Sequence, residues 1–159
     1  FPRILIPTAN LLFTLTLWLV AIMILVVLYP LLGGVYHWGL LLYPVALGLY
    51  ILFIWGLALA LSVLNVEFRD IKHLVEIAVM FLFWLTPVGY DLNTLKGVSH
   101  TVVSINPLTS YMQLFHIILY NGKIPDDKTF LVATLWTFGS VALGAYLFRK
   151  KAFRLVEDL

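Results

Sequence analysis

Long apolar runs alternate along this chain with short polar segments, and the lengths of the runs predict helices that cross a membrane. The runs lie at about residues 8–32, 39–64, 74–90 and 130–148. Each is close to the roughly 20 residues that a helix needs to cross the hydrocarbon core of a bilayer. We therefore expect four transmembrane helices, the third of them kinked or broken near its far end by Pro87 and Gly89.

Composition places the chain among integral membrane proteins of the all-α class. Hydrophobic residues make up 62% and charged residues 11% of the sequence, against about 45–50% and about 25% in soluble domains. We expect one membrane domain over residues 1–159. The formal net charge of +2, without a basic stripe, argues against a nucleic-acid partner. Because the chain begins with Phe1 and shows no secretion signal, we expect it to be a fragment of a longer protein.

A charged segment from Asn65 to Glu76 separates the second apolar run from the third. Charges between two such runs are typical of a hydrophilic hairpin at one membrane surface. Lysine and arginine concentrate on the cytoplasmic side of membrane proteins. One side receives Arg3, Arg69, Lys72, Arg149, Lys150, Lys151 and Arg154, and the other receives Lys96, Lys123 and Lys128. This asymmetry predicts that both ends of the chain, including the tail 149–159, are cytoplasmic.

The charged hairpin has more than one interpretation. Arg69 and Asp70 fit topogenic charges, but they also fit contacts to a cytoplasmic partner, since charges on a short hairpin give register and specificity. His73 and Glu76 have the spacing to share a metal ion, whereas Lys72 and Glu76, four residues apart, fit a hydrated pair. Glu76 also fits a polar cavity inside the bilayer. We expect no metal site.

The region 91–128 contains an apolar run that is too short to cross a bilayer. Asn106 and Pro107 have the character of a helix N-cap and first turn. The apolar face of this helix is expected to carry Leu108, Tyr111, Met112, Phe115 and Leu119, with Thr109, Gln113 and His116 opposite. A weaker helix is expected near 98–105. The pattern predicts short amphipathic or re-entrant helices outside the cytoplasm.

Small and polar residues inside the long runs mark helix contacts or a transport path. Gly56 with Ala60, Ala58 with Ser62, and the set Gly139, Ser140 and Gly144 favour close packing of the second and last spans. Asn10, Thr14 and Trp18 share one face of the first span and fit either helix packing or the lining of a path. Tyr50 and Trp55 fit membrane-interface rings or rings that stack on sugars.

Three motifs in order resemble one transporter family. They are Asn65-Val66-Glu67-Phe68-Arg69-Asp70-Ile71, Phe83-Trp84-Leu85-Thr86-Pro87 and Ile105-Asn106-Pro107-Leu108-Thr109. With the opening Phe1-Pro2-Arg3-Ile4-Leu5-Ile6-Pro7, they resemble the membrane subunit of ABC-2-type exporters of O-antigen, capsule and teichoic-acid glycans.

The resemblance implies a subunit of six spans, of which this chain holds the last four, in the bacterial inner membrane. It implies a second copy of the permease and a separate ATP-binding subunit that holds ATP and magnesium, since no phosphate-binding loop is present here. This chain would then bind no cofactor and would not be an enzyme. The candidate residues for coupling to the ATP-binding subunit are Arg3, Arg69 and Asp70. The candidate residues of the transport path are Asn10, Thr14, Trp18, Tyr50 and Trp55. The resemblance also implies short gate helices on the outer side between the last two spans, and the candidate residues of the gate helix are Asn106, Pro107, Tyr111 and Phe115.

Other functions stay open at this point. An ABC-2 exporter of a drug or a lipid would share the fold. A membrane-embedded transferase acting on a glycan lipid would need acids or histidines that converge inside the bilayer, and Glu76 comes nearest to that. An assembly subunit without transport activity is the remaining alternative.

Overall fold

The computed structural model describes residues 5–68, 70–88, 90, 92–120 and 124–152, and every regular element in these ranges is helical. The α-helices are α1 (Leu5–Leu31), α2 (Tyr43–Glu67), α3 (Ile71–Leu85), α4 (Val98–Ile105), α5 (Pro107–Leu119) and α6 (Asp127–Ala152). Short 3-10 turns lie at Trp38–Leu42 and Leu92–Thr94. Arg3, Arg69 and most of the predicted tail 149–159 lie outside the described residues.

Three helical segments in the described ranges are long and apolar enough to cross a bilayer: Pro7–Leu31, Trp38–Val66 and Asp127–Lys150. Helices α4 and α5 are bent by 89° relative to each other and add a fourth if the pair is one broken span. The protein is therefore an all-α integral membrane protein, as its composition predicts.

Helix α3 is shorter than the span predicted at 74–90. Its 15 residues cover about 22 Å at the α-helical rise, less than the roughly 30 Å of a hydrocarbon core. The helix ends at Leu85 because a residue that precedes a proline disfavours helical dihedrals, and Thr86 before Pro87 is extended, with φ −86° and ψ 130°. The proline therefore ends the helix and does not merely kink it.

Helices α2 and α6 cross with their backbones in contact. A Cβ atom at Gly56 would lie 2.5 Å from the carbonyl carbon of Ser140, and one at Gly144 would overlap the carbonyl oxygen of Gly56. The close packing predicted from small residues is confirmed at these three positions. Gly139, which belongs to the same predicted set, faces open space.

Helix α5 packs against both α2 and α6 and completes the core. The buried cluster consists of Ala46, Phe53, Tyr111, Leu114, Ile118 and Ala133. The buried face of α5 is rotated from the predicted one, because Leu114 and Ile118 join Tyr111 inside. Thr109, predicted on the polar face, is also buried. Leu108 and Phe115 of the predicted face pack against the cluster. A helix held between two others buries more than one stripe, so its amphipathic pattern identified only part of the buried face.

Helices α1 and α3 contribute little to this core. No residue of α3 is buried, and none of the most apolar stretch of α1 is buried either. Helix α1 touches its neighbours at a few points along its length. Near its start Trp55 Nε1 donates a hydrogen bond to Thr8 Oγ1 (3.2 Å), and near its end the Tyr29 hydroxyl donates to the carbonyl of Leu119 (3.3 Å).

These contacts show which helix ends lie together. The start of α1 lies beside Trp55 at the middle of α2 and shares a groove with Ser62, nearer the end of α2. The second half of α6 lies beside Gly56. The start of α1, the end of α2 and the end of α6 therefore share one end of the bundle. We call it the charged end, because residues 65–68 and 70–76 of the charged hairpin lie there, and we call the other the opposite end.

Candidate functional site

The charged end carries the candidate coupling residue that the structure describes. Asp70 is the N-cap of α3, yet its exposed side chain makes no capping hydrogen bond. Within the described residues its carboxylate is exposed and caps no helix. Arg3 and Arg69, the other two candidates, lie outside the described residues.

Glu76, His73 and Lys72 form an exposed cluster in the first part of α3, after Asp70. Glu76 lies 4.0 Å from the Lys72 ammonium and 3.6 Å from the His73 ring, and its side chain is 60% exposed. An ion pair this exposed contributes little to stability. Glu76 does not lie in an enclosed cavity. Among the described residues, no group of three or more histidines and acids is arranged to hold a metal ion.

The candidate path residues fall into two separate groups. Asn10 lies near the charged end and lines an open groove together with Pro7, Ala9, Phe13 and Ser62. Thr14, one turn further along, donates its hydroxyl to the Asn10 carbonyl (3.0 Å), and this bond lies within the helix. Trp55 is held by its hydrogen bond to Thr8.

Trp18 and Tyr50 lie instead in a continuous series of aromatic rings. Trp18 stacks on Tyr43 at 6.3 Å between ring centroids, and Tyr43 lies 5.6 Å from Phe115. Tyr50 lies 5.8 Å from Phe115 and 5.3 Å from Tyr111. The series runs across α1, α2 and α5, so the structure joins two path candidates to two gate candidates.

Tyr111 ends this series and is anchored in the core. It is 1% exposed, and its ring lies 5.1 Å from that of Phe53. Its hydroxyl lies 2.8 Å from Thr137 Oγ1 and 3.0 Å from the carbonyl of Ala133 in α6. A side chain so enclosed packs helices together and offers no face to a ligand in this conformation.

The sequence analysis did not single out Thr137 and Tyr43. Tyr43 links the rings of Trp18 and Phe115. The hydroxyl of Thr137 lies 3.1 Å from the carbonyl of Leu49 in α2 as well as near Tyr111, so it joins α2, α5 and α6. The signal was a hydroxyl inside an apolar span, where such groups commonly link helices.

Asn106 and Pro107 begin the gate helix as predicted from the Asn-Pro pair. Asn106 Oδ1 accepts a hydrogen bond from the backbone N–H of Leu108 (3.0 Å), and Pro107 occupies the first turn, where its missing N–H leaves no bond unmade. Asn106 is at the same time the C-cap of α4. It is therefore the residue at which the chain turns by 89°.

Thr109, in the first turn of α5, carries a buried hydroxyl without a hydrogen-bond partner in the described part of the chain. It is 2% exposed. Buried hydroxyls are normally paired, and an unpaired one carries a desolvation cost. The start of α5 therefore holds both a fully bonded amide, at Asn106, and an unbonded hydroxyl.

Comparison with known proteins assigns the chain to a family. Residues 2–120 match the model of the ABC-2 type transporter family. The chain is 28% identical to the O-antigen export system permease protein RfbA of Myxococcus xanthus, with 89% of the chain and 57% of the relative aligned. It is 27% identical to a protein of the same name from Klebsiella pneumoniae, over 100% of the chain and 61% of the relative.

The chain spans about 60% of the length of these relatives. The family match covers more than half of the chain and includes the charged hairpin, the end of α3 and the Asn-Pro start of α5. These are the segments that carry the resemblance in the sequence. The protein therefore belongs to the ABC-2 type transporter family of membrane subunits.

Proposed function

We propose that this chain forms the larger part of the permease subunit of an ATP-driven exporter, and that its cargo is a lipid-linked polysaccharide of the O-antigen type. The observation that carries the proposal is the match to the two O-antigen export permeases over most of the chain. The 159 residues contain no Gly-x-x-x-x-Gly-Lys-Ser/Thr loop, so a separate partner chain would bind ATP and magnesium.

The geometry supports a division of work between the two ends of the bundle. At the charged end, Arg3, Arg69 and Asp70 would meet the ATP-binding subunit in the cytoplasm. The groove beside Asn10 and the ring series from Trp18 to Tyr50 would lie along the route of the cargo. Helix α5 would act as a gate towards the outer side. A second copy of the permease would complete the channel in the bacterial inner membrane.

The chemistry needed for an enzyme finds less support. A transferase acting on a glycan lipid would need an acid or a histidine inside the bilayer. Glu76, the nearest candidate, is exposed beside Lys72 at the charged end. A drug or a lipid as the cargo would fit the same fold, so the test has to distinguish cargo types.

The test is to purify the full-length permease gently from its native membrane and to ask whether an ATP-hydrolysing chain comes with it in stoichiometric amount. The complex is then reconstituted in liposomes, and ATP hydrolysis is measured with added lipid-linked glycan, with a lipophilic drug and with phospholipid alone. Stimulation by the glycan is the expected result. Stimulation by the drug or by the phospholipid alone would show that the cargo is not a glycan. Repeated absence of the partner chain would overturn the proposal.

Charge-removing variants test the docking role of the charged end. Arg69→Ala and Asp70→Asn should each lower export and the amount of bound ATP-binding subunit while membrane insertion stays normal. Lys128→Ala is the matched control, because Lys128 is exposed at the opposite end of the bundle. Wild-type export and partner binding in both charge variants would show that these charges set only the topology.

A further inference from the structure

We propose that Asn106 and Thr86 form a buried joint through which a displacement of α3 is passed to α5. The inference rests on the proposed function, since it assigns these two residues a positioning role in transport.

At the end of α3, the carbonyl of Leu82 accepts hydrogen bonds from side chains and not from the backbone of the helix. Because Thr86 is extended ahead of Pro87, its backbone N–H bonds the Phe83 carbonyl (3.1 Å). In a continuing α-helix that N–H would bond the Leu82 carbonyl. The Leu82 carbonyl therefore has no backbone donor here. The Thr86 hydroxyl donates to it at 2.5 Å. Asn106 Nδ2 donates to the same carbonyl at 3.2 Å and also to Thr86 Oγ1 at 2.9 Å.

Every polar group of Asn106 is engaged at the bend between α4 and α5. Its backbone N–H bonds the Val103 carbonyl (3.3 Å), and its own carbonyl accepts from the N–H of Thr109 (3.0 Å). The side-chain oxygen faces the N–H of Leu108, and the side-chain nitrogen faces α3. The partners fix this amide orientation, because an N–H needs an acceptor and a carbonyl needs a donor.

The joint is buried, although α3 is not. Asn106 and Thr86 are each 5% exposed, and Pro87 beside them is buried, whereas α3 itself has no buried residue. A buried network that is fully bonded is rigid, since breaking one bond leaves a polar group without water. The firmest attachment of α3 to the described remainder of the chain is therefore at its last turn.

The two helices that meet at the joint reach opposite parts of the molecule. Helix α3 begins at Asp70 in the charged end, where the ATP-binding subunit would dock. Helix α5 leads from Asn106 past Tyr111, which packs on Phe53 near the middle of the Trp38–Val66 span, to Leu119 beside Tyr29 at the opposite end of the bundle. A movement of the docking hairpin would reach the gate helix through α3 and this joint.

The test uses the full-length permease with its ATP-binding subunit in liposomes, and measures export and ATP hydrolysis together. Thr86→Val removes the hydroxyl with little change in shape. Asn106→Asp keeps the oxygen that caps α5 and removes the nitrogen that bonds α3. Asn106→Asp removes both bonds from Asn106 to α3 and should lower export per ATP hydrolysed at least tenfold. Thr86→Val leaves the bond from Asn106 Nδ2 to the Leu82 carbonyl and should lower export per ATP less. The double variant should lose no more than Asn106→Asp alone, because that variant already breaks the joint.

The controls separate transmission from simple stability. Thr86→Ser keeps the hydroxyl and should export normally. Thr134→Val removes a partly buried hydroxyl that bonds only within α6, and should also export normally. Normal export per ATP in Thr86→Val and Asn106→Asp would overturn the proposal, and so would losses of export that match the loss of folded complex.

Hydrogen exchange distinguishes failure of the joint from failure of the proposed function, because it needs no cargo. In the wild-type complex, a non-hydrolysable ATP analogue should change amide exchange in both 82–86 and 104–110. In Asn106→Asp, which removes both bonds to α3, the response at 104–110 should be lost while that at 82–86 persists. An unchanged response at 104–110 would refute the joint alone. A wild-type complex with no response in either segment would refute the ATP-driven mechanism and the joint together.

Discussion

Helices α2, α5 and α6 form a packed core, whereas α1 and α3 leave most of their large apolar side chains exposed. Both regions are rich in leucine, valine and phenylalanine, so hydrophobicity does not explain the difference. In a bilayer, apolar side chains gain little by leaving lipid for each other. The core contains glycines that let the backbones of α2 and α6 touch, and buried hydroxyls at Tyr111 and Thr137 that bond across helices. Helices α1 and α3 contain no glycine, and the hydroxyls that link α1 to its neighbours lie near its two ends.

The sharpest test of this contrast compares one phenylalanine from each region. Phe53 is 3% exposed and Phe81 in α3 is 62% exposed. Phe53→Ala should lower the free energy of unfolding of the full-length protein by about 3–5 kcal/mol, and Phe81→Ala by less than about 0.5 kcal/mol. Titration of SDS into detergent micelles measures both values. An equal cost at Phe81 would show that α3 is packed in the full-length protein.

The glycine contact gives the next largest expected effect. Gly56→Ala should cost about 1–3 kcal/mol, because the new methyl group meets backbone atoms of Ser140 that cannot move aside. Gly139→Ala is the matched control in α6, since a Cβ there meets nothing within 4 Å. That control should be neutral or slightly stabilising. The same SDS titration would contradict the close contact if both variants behaved alike.

A hydroxyl deletion tests the polar link of α5 to α6. Tyr111→Phe should cost about 1–2 kcal/mol, because the bonds to Thr137 and the Ala133 carbonyl are lost from a buried site. Tyr146→Phe removes an exposed hydroxyl that contacts Lys150 and should have almost no effect. Comparison of the two midpoints in SDS measures the difference. Equal midpoints would mean that apolar packing alone holds α5.

The smallest effect is expected at Thr109, where the sign matters more than the size. Thr109→Val removes a buried hydroxyl that has no partner in the described residues, and should leave stability unchanged or raise it by up to about 1 kcal/mol. Thr137→Val, which breaks bonds to two helices, should lower it. A loss of stability in Thr109→Val would reveal a partner for this hydroxyl in the full-length protein.

Local signals in the sequence predicted several features well. The Asn106-Pro107 pair gave the start of α5 to the residue, because capping and proline preferences depend on neighbouring backbone groups. The glycines of α2 and α6 gave the closest helix contact. The candidate coupling role of Asp70 and the path role of Asn10 stay predictions, since the structure gives their places and not their use.

Other features depended on tertiary packing. The length of the third apolar run predicted a span over 74–90, but Pro87 ended α3 at Leu85. The apolar pattern of α5 gave only part of the buried face, because both α2 and α6 contact this helix. The number of aromatic residues could not predict that Trp18 and Tyr50 belong to a series of rings that includes Tyr111 and Phe115, or that Trp55 lies outside that series.

Hydrophobic length, charge placement and the capping preferences of Asn106 and Pro107 are enough to give the membrane class, the helices and the charged hairpin, since each acts over a few neighbouring residues. Which helices form the core, and that Asn106 reaches Leu82 and Thr86, depend on atoms about 20 residues or more apart in the chain. Such a bond forms only when the packing of several helices brings its donor to its acceptor. No local pattern contains that information, so the tertiary structure decides it.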